Sequence, residues 1–293
     1  MVGIVVVTYN RLELLKEVIG SLRKQTYQEF KIIVINNDSP DCTKEWLNSQ
    51  ADLRSIHQGN VGGAGGFFTG MKYVAENGFD YCWIMDDDVI CYPNALEELI
   101  NGIQVKPEIG FVCSKVIGDN NLPMNVPEIE LKTISNGAVN WMDLIDYKMI
   151  KVKSATFVSV LFPVKNIFEF GLPLKDYFIW GDDTEYTTRI SEKRDCYMVG
   201  SSTVHHKRAK QTTLSIEGEK DKNRMKNYFY LFRNGTATMK LRYKKVSTAR
   251  RIYIAKKVLK LLLRGDIYKA SIVVKSQIAA LNFNPKIEFP HSK

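Results

Sequence analysis

The sequence predicts an α/β protein, a parallel sheet covered by helices, followed by a C-terminal region that is helical throughout. Three observations carry this. Short apolar or β-branched runs such as Gly3 to Val7, Phe30 to Ile35 and Tyr81 to Met85 alternate with stretches whose apolar residues recur at helical spacing. Each run is stopped by polar residues that a buried strand does not hold. From Tyr228 onward the strand-like runs disappear and helical periodicity takes over.

In chain order, Gly3 to Val7 is a strand stopped by Thr8-Tyr9-Asn10-Arg11, and Leu12, Leu15, Ile19 and Leu22 mark the helix that follows. Phe30 to Ile35 is the second strand, ended by Asn36-Asn-Asp-Ser-Pro40, with a short helix over Cys42 to Asn48. Asn60-Val-Gly-Gly-Ala-Gly-Gly-Phe67 leads into a helix with Phe68, Met71, Tyr73 and Val74 among its apolar positions. Tyr81 to Met85 is a buried strand ending in three carboxylates, Asp86-Asp-Asp88. Ala95, Leu96, Leu99, Ile100 and Ile103 form an amphipathic helix before the strand Ile109 to Val116. Residues 118–146 are rich in Pro, Asn and Gly without periodicity, an excursion of loops placed near an acceptor. Ala155 to Val164 is strand-like, Phe168 to Pro173 a turn, and Tyr186, Arg189 and Ile190 sit on a further helix. Cys196 to Val204 is the last strand and ends in His205-His206. In open sheets of this kind ligands sit beyond the carboxyl ends of the strands, so Thr8 to Arg11, Asn36 to Asp41 and Asp86 to Asp88 are expected to converge on one pocket.

At 293 residues the chain suits one large core or two domains of roughly 100–200 residues. We divide it into a mixed α/β domain over 1–206 and a basic helical region over 207–293. The five cysteines, Cys42, Cys82, Cys91, Cys113 and Cys196, are odd in number and lack paired spacing, so they read as reduced structural thiols of a cytoplasmic protein. The N-terminus lacks the basic segment of a signal peptide, and no uncharged apolar run nears the ~18 residues needed to span a bilayer. A formal charge of +9 points to an anionic partner: nucleic acid, a membrane surface or a phosphorylated substrate. Nucleic acid is disfavoured, because the basic residues cluster after His205 and no nucleic-acid module is recognisable.

The chemistry lies at the strand ends. Asp is depleted in strands and costly to bury unpaired, so three carboxylates behind Tyr81 to Met85 call for something positive. Mg²⁺ or Mn²⁺ held by one or two carboxylates commonly completes its shell with substrate phosphates; the plainer reading is a solvated acidic turn. The four glycines between Asn60 and Phe67 allow close approach of a ligand to backbone, and a helix start suits phosphate. The Lys-Ser/Thr ending of a Walker loop is missing, which leaves a flexible loop as the alternative. Tyr177-Phe-Ile-Trp-Gly-Asp-Asp-Thr-Glu-Tyr186 sets a second acidic cluster at a helix start, where one carboxylate reads as a cap and another as a general base for a hydroxyl. Trp180 is either an aromatic platform beside that carboxylate or core packing. A histidine at the end of the last strand adds a metal ligand. Between Arg250 and Arg264, Arg250, Lys257, Lys260 and Arg264 fall on one side of a helix and Ile252, Ala255, Leu259, Leu262 and Leu263 on the other. Such a helix lies on an anionic membrane, or packs its apolar face on the α/β domain and leaves its lysines in water.

Together these pieces resemble family 2 glycosyltransferases of the GT-A fold, the inverting class that depends on nucleotide sugars. The resemblance rests on Val5-Val-Val-Thr-Tyr-Asn-Arg11, Asn37-Asp-Ser-Pro-Asp41, Asn60-Val-Gly-Gly-Ala-Gly-Gly66, Asp86-Asp-Asp88, Asp182-Asp-Thr-Glu185, His205 and Tyr230-Leu-Phe-Arg-Asn234, in the family's order. Within the family the combination is most similar to bacterial galactofuranosyltransferases, with the rhamnosyltransferases of surface-polysaccharide synthesis as close relatives. The resemblance implies a Rossmann-like GT-A mixed sheet flanked by helices. It implies that Thr8, Tyr9, Arg11, Asn37 and Asp38 line the nucleotide pocket and that Asn60, with Gly62 and Gly63, lets the donor approach. Asp86 and Asp88, with Asp87 beside them, are placed at the sugar diphosphate and a Mn²⁺ or Mg²⁺ ion. His205 completes the coordination, and His206 is the alternative if the strand is offset by one. Asp183 corresponds to the catalytic base; Trp180, Asp182 and Glu185 go to the acceptor. One departure is Asn36, where many relatives carry an acidic residue on the loop that reads uracil, so the base of the nucleotide stays open. The implied activity is transfer of galactofuranose from UDP-galactofuranose to a glycan or lipid-linked glycan of bacterial O-antigen or capsule, by a cytoplasmic enzyme peripheral on the inner membrane face. A rhamnosyltransferase using dTDP-rhamnose, another hexosyltransferase of the family, and a non-catalytic nucleotide-sugar-binding protein are the competing readings.

Overall fold

The computed structural model describes residues 1–207 and 214–291; the remaining residues of the expected 207–293 region lie outside the described residues. The chain forms two compact units, Met1–Lys175 with Asp183–Gln211 and Ile287–Lys293, and Asp176–Asp182 with Thr212–Lys286. The first contains β1 (Val2–Thr8), α1 (Leu12–Leu22), β2 (Phe30–Asn36), α2 (Thr43–Asn48), β3 (Leu53–His57), α3 (Gly62–Glu76), β4 (Tyr81–Asp86), β5 (Val89–Cys91), α4 (Ala95–Ile103), β6 (Val112–Ile117), β7 (Glu128–Ile129), β8 (Met149–Ser154), β9 (Val160–Pro163), α5 (Val164–Phe170), α6 (Asp182–Ser191) from Asp183 on, and β10 (Tyr197–His206).

These strands form a mixed sheet in the order β3-β2-β1-β4-β9-β6-β10-β8-β7, with β5 against β10. β1 runs parallel to β2 and β4, and β2 to β3, whereas β9 is antiparallel to both β4 and β6. The period of two decides which layer each residue fills. Val2, Ile4 and Val6 of β1 join Leu15 and Ile19 of α1 and Leu96 and Leu99 of α4 on one face. Val5 and Val7 join Phe67, Met71 and Val74 of α3, Ile167 of α5 and Ile190 of α6 on the other. Gly66 and Gly70 are what let α3 lie flush on β1, because a Cβ there would collide with Val7 and Val5.

Four short strands, β3, β5, β7 and β8, were not foreseen from the sequence; β3, Leu53-Arg-Ser-Ile-His57, lacks a β-branched run and among the described residues pairs only with β2. A helix, α5, begins ahead of the turn expected at Phe168 to Pro173. The excursion over 118–146 is mostly aperiodic, with β7 its one strand among the described residues. All five cysteines are free and all but Cys42 are buried.

The second unit consists of α7 (Lys222–Tyr243), α8 (Thr248–Leu263) and α9 (Ile267–Asn282), with the segment 176–182. Asp221 caps α7 by accepting from the Asn223 amide at 2.9 Å, and Ser247 caps α8 by accepting from the Arg250 amide at 3.2 Å. Met225, Tyr228, Phe232, Leu261, Ile272 and Val273 form the core. Of the two alternatives left open for α8, inward packing of the side that carries Ile252, Leu259, Leu262 and Leu263 does not hold. Leu261, Ile254 and Val258 face the core, and Arg250 and Lys257 turn inward with them, Arg250 donating to the Phe232 carbonyl at 3.2 Å and Lys257 to Glu217 at 2.7 Å. Ile252, Leu259, Leu262 and Leu263 are left exposed. No helix among the described residues is long and apolar enough to cross a membrane.

Candidate active site

Register places four polar strand ends side by side. Thr8 pairs with Asn36, Asn36 with His57, and Val7 with Asp86, so the loops after β1, β2, β3 and β4 leave the sheet from one edge. The acidic triplet is built into this edge in two ways. Asp87 turns inward: it is 4% exposed, its Oδ2 accepts from the Thr8 hydroxyl at 2.7 Å and the Tyr9 amide at 3.4 Å, and its Oδ1 accepts from Arg11 at 3.2 Å. Asp88 accepts from Arg11 at 2.9 Å on one oxygen and lies 3.0 Å from His206 Nε2 on the other. Burial pushes the Asp87 carboxyl above its ordinary range against the pull of Arg11. Burial also lowers the Arg11 guanidinium, but Asp87, Asp88 and Asp86 outweigh it and carry it above its usual value.

Asp86, Asp88 and His206 each present one ligand atom, all within 4.8 Å of one another. Two carboxylate oxygens and an imidazole nitrogen so grouped fit a divalent Mn²⁺ or Mg²⁺ ion. The histidine expectation moves by one residue. His205 Nε2 lies 3.4 Å from Asp119, away from the triplet, while His206 is buried and its Nδ1 meets Asn125 Oδ1 at 2.9 Å. The reason is a break in β10: Val199 pairs with Ser114 but Thr203 pairs with the next residue, Lys115, so residues 200–202 are extra and the alternation restarts. An Nδ1–H donated to Asn125 would leave the Nε2 lone pair for a cation.

The Gly-rich turn does two things. Gly62 opens α3 at φ +75, its amide donates to Asn60 Oδ1 at 3.0 Å, and a Cβ at Gly63 would meet open space. Asn37 is turned inward, donating to the Gly62 carbonyl at 3.0 Å and accepting from Gln58 at 2.7 Å, so it braces the turn. Tyr9, Arg11, Asp38 and Asn60 remain exposed at this edge, whereas Thr8 is buried against Asp87. Asn36, the departure noted on the second loop, is buried; it accepts from the Ser39 amide at 3.0 Å and its Nδ2 meets His57 Nδ1 at 3.2 Å.

At the start of α6, Asp183 is half-buried and its Oδ1 accepts from the Thr184 amide at 2.6 Å. Free N–H groups and the helix dipole favour a negative charge there. Asp182 is buried, and Glu185 is 3% exposed and held by Arg189 through two contacts, 3.1 Å and 2.6 Å. Glu185 thus helps to fix α6, since Arg189 also donates to the carbonyls of Phe170 and Leu172. Trp180, in the helical unit, sits edge-on to Tyr228 with ring centroids 5.2 Å apart.

Residues 3–155, just over half of the chain, match the sequence family described as glycosyl transferase family 2. The chain belongs to this family. An uncharacterized glycosyltransferase of Rickettsia felis is 26% identical over 200 residues, which covers 61% of this chain and 31% of that protein. The galactofuranosyltransferase GlfT1 of Mycolicibacterium smegmatis is 37% identical over 87 residues, 29% of this chain and 28% of the relative. The chain thus spans about a third of the length of these curated relatives. Among solved structures, S. aureus TarS 1-349 superposes with a TM-score of 0.56 at 14% identity, covering 82% of this chain and 65% of the other. GalNAc-T7, crystallised with UDP, GalNAc and Mn²⁺, gives 0.57 at 17% identity, covering 86% and 53%. The fold of this chain is GT-A.

Sequence reasoning gave no local signal for several residues that brace this edge and the helical unit. Asn125 lies in the aperiodic excursion and Gln58 in a loop after an unforeseen strand, and neither has a local signal. Arg233 and Asn234 were visible only as part of a family motif. Asn234 is fully buried in the helical unit and its Nδ2 reaches the carbonyls of Tyr177, Ile179 and Trp180 at 3.0, 3.2 and 2.8 Å. Those carbonyls belong to a segment in which Phe178, Trp180 and Gly181 all have positive φ.

Proposed function

We propose that the protein is a metal-dependent, inverting glycosyltransferase that moves a sugar, galactofuranose from UDP-galactofuranose, to a glycan or lipid-linked glycan of a bacterial surface polysaccharide. The single observation that carries this is the grouping of Asp86, Asp88 and His206 at the strand edge of a GT-A sheet. Relatives lend support at two levels: GalNAc-T7 was crystallised with UDP and Mn²⁺, and the galactofuranosyltransferase of M. smegmatis matches part of the chain.

Asp86, Asp88 and His206 would hold a divalent cation, which would supply Lewis acidity to the departing sugar diphosphate. Arg11, spanning Asp87 and Asp88, is a second positive charge at the same edge. Tyr9, Arg11, Asp38 and Asn60 offer the exposed contacts for the nucleotide sugar and Gly63 a half-buried one, with Thr8, Asn37 and Asp87 bracing their loops. The Asp183 carboxylate takes the proton of the acceptor hydroxyl as its oxygen bonds to the anomeric carbon. The bond from that carbon to the diphosphate breaks on the opposite face, so configuration inverts and the proton ends on Asp183. The excess basic charge of the C-terminal region supports a location on the inner membrane face, where a lipid-linked acceptor would be met.

The test is hydrolysis or transfer from UDP-galactofuranose, dTDP-rhamnose, UDP-galactose, UDP-glucose and UDP-GlcNAc with Mn²⁺, using Asp88→Ala as blank. Selective turnover of UDP-galactofuranose is expected. Preference for another donor would move the specificity and keep the reaction class. A wild type that binds UDP yet never turns over, with any donor or added glycan, would favour the non-catalytic reading.

A further inference from the structure

The helical unit carries far more positive charge than its fold uses. Between Lys222 and Lys286 there are seventeen Lys and Arg residues and one acid, Asp266, although the whole chain carries only +9. Two consecutive helices in this stretch leave apolar stripes uncovered. On α8 the stripe is Ile252, Leu259, Leu262 and Leu263, the last 79% exposed; on α9 it is Ile267 at 70%, Val274, Ile278 and Leu281 at 71%. At about 100° per residue each set falls on one side of its helix, opposite the residues that form the core. Single exposed leucines are ordinary, but two ordered stripes are not.

The surroundings of the stripes specify what covers them. Arg251 lies on one border of the α8 stripe and Lys256 and Lys260 on the other, and Lys275 borders that of α9, with Tyr253 and Tyr268 also exposed. An apolar strip edged by cations and tyrosines matches a lipid interface, where lysine stems follow the apolar body to place their charge at the headgroups. A nucleic acid or acidic protein would satisfy the cations and leave the leucines in water. The inward turn of Arg250 and Lys257 sharpens the point, because the cations that could not lie beside lipid are the ones the fold has internalised.

We propose that the exposed faces of α8 and α9 seat the protein on an anionic bilayer, with Leu259, Leu262, Leu263 and Ile267 at the acyl boundary and Arg251, Lys256 and Lys260 at the lipid phosphates. This deepens the location given under the proposed function and rests on it only for the identity of the membrane; its test needs no donor and no turnover, so the two readings fail separately.

The measurement is flotation of the full chain with phosphatidylcholine vesicles, alone and containing phosphatidylglycerol, at low salt and at 0.15 M salt. Two variants accompany it, Leu259→Ser/Leu263→Ser and Arg251→Glu/Lys256→Glu. All four positions are exposed, so far-UV circular dichroism and melting should match the wild type. Wild type should float with the phosphatidylglycerol vesicles and weakly or not at all with phosphatidylcholine alone. Each double variant should lower partitioning about tenfold or more, since membrane affinity combines apolar burial with attraction to anionic lipid. The apolar variant should lose most of what binding persists at 0.15 M salt, where the Debye length is about 8 Å. A wild type that stays at the bottom of the gradient at low salt overturns the proposal. So does an apolar variant that floats like the wild type, which would reduce the surface to a general polyanion binder. A wild type that does not float but sediments as an oligomer, dispersed by Leu259→Ser/Leu263→Ser, would assign the stripes to a second copy of the chain instead.

Discussion

His206 and His205 differ by one residue in sequence and by everything in environment. The first is buried between Asp88 and Asn125, while the second lies 25% exposed beside Asp119. His206→Ala should therefore weaken Mn²⁺ activation about tenfold or more, and His205→Ala should leave it near wild type, read from Mn²⁺ titrations of donor hydrolysis. The opposite ranking would return the ligand role to His205. Asp183→Asn should abolish transfer while UDP binding in the presence of Mn²⁺ stays within a few-fold, because the carboxylate is needed for a proton and not for the donor. Equal loss of binding would make Asp183 a structural residue of α6. What the sequence showed at this scale was residue type at a strand end: a polar stop after a β-branched run. Which side chains point into the site depended on partners supplied by the fold. Asp87 and Asn37 carried the same signal as Asp88 and Asp38, yet Thr8 and Arg11 take one inward and Gln58 and Gly62 the other.

Two elements of the helical unit make claims of their own. Asn234 of α7 holds three carbonyls of a segment whose Phe178 and Trp180 have φ of +64 and +62, a conformation that L-residues avoid. Asn234→Ala should cost about 2 kcal/mol or more in denaturant unfolding, by orphaning buried carbonyls, and Asn234→Asp should not restore the lost donor. A change within error would mean that the segment holds its shape unaided. Glu217 receives Lys257 at 2.7 Å. Burial alone would raise its carboxyl, but Lys257, backbone and Ser215 hydrogen bonds outweigh it and hold the pKa at about 2 rather than 4.5. A carboxyl with a depressed folded pKa stabilises fully above its unfolded value and loses that contribution as pH falls from about 4.5 toward about 2. Melting between pH 6 and pH 2 should thus fall more steeply in the wild type than in Glu217→Gln; parallel curves would show that the pair does not hold α8 in place. Helix periodicity gathered Ile252, Leu259, Leu262 and Leu263, which share the exposed side of α8, but it grouped the exposed Lys260 and Arg264 with the inward Arg250 and Lys257. It could not say which side faces inward, because that is settled by Glu217 and by the carbonyl of Phe232, neither of which the helix itself contains.

On the scale of the whole molecule, charge and chemistry are separated along the chain. The segment from Lys222 to Lys286 holds seventeen cations against one acid, so the rest of a chain with net charge +9 is acidic on balance. The proposed account is that the acidic part gathers a cation and a nucleotide diphosphate at its strand edge while the basic part meets an anionic surface. The alternating pattern that predicted an α/β sheet was legible because both faces of the sheet are buried and β1 divides its valines between them. The excursion over 118–146 was not, since it contributes Asn125 through a turn with no periodic signature. The most direct test is calorimetric titration of UDP into the full-length protein with and without Mn²⁺, repeated on Asp88→Ala. UDP should bind about tenfold or more tighter with Mn²⁺ in the wild type, and Asp88→Ala should abolish the difference, because the cation is completed by substrate phosphates. Equal UDP affinity with and without Mn²⁺ in the wild type would contradict a cation centre at Asp86, Asp88 and His206 and the metal-dependent transfer built on it.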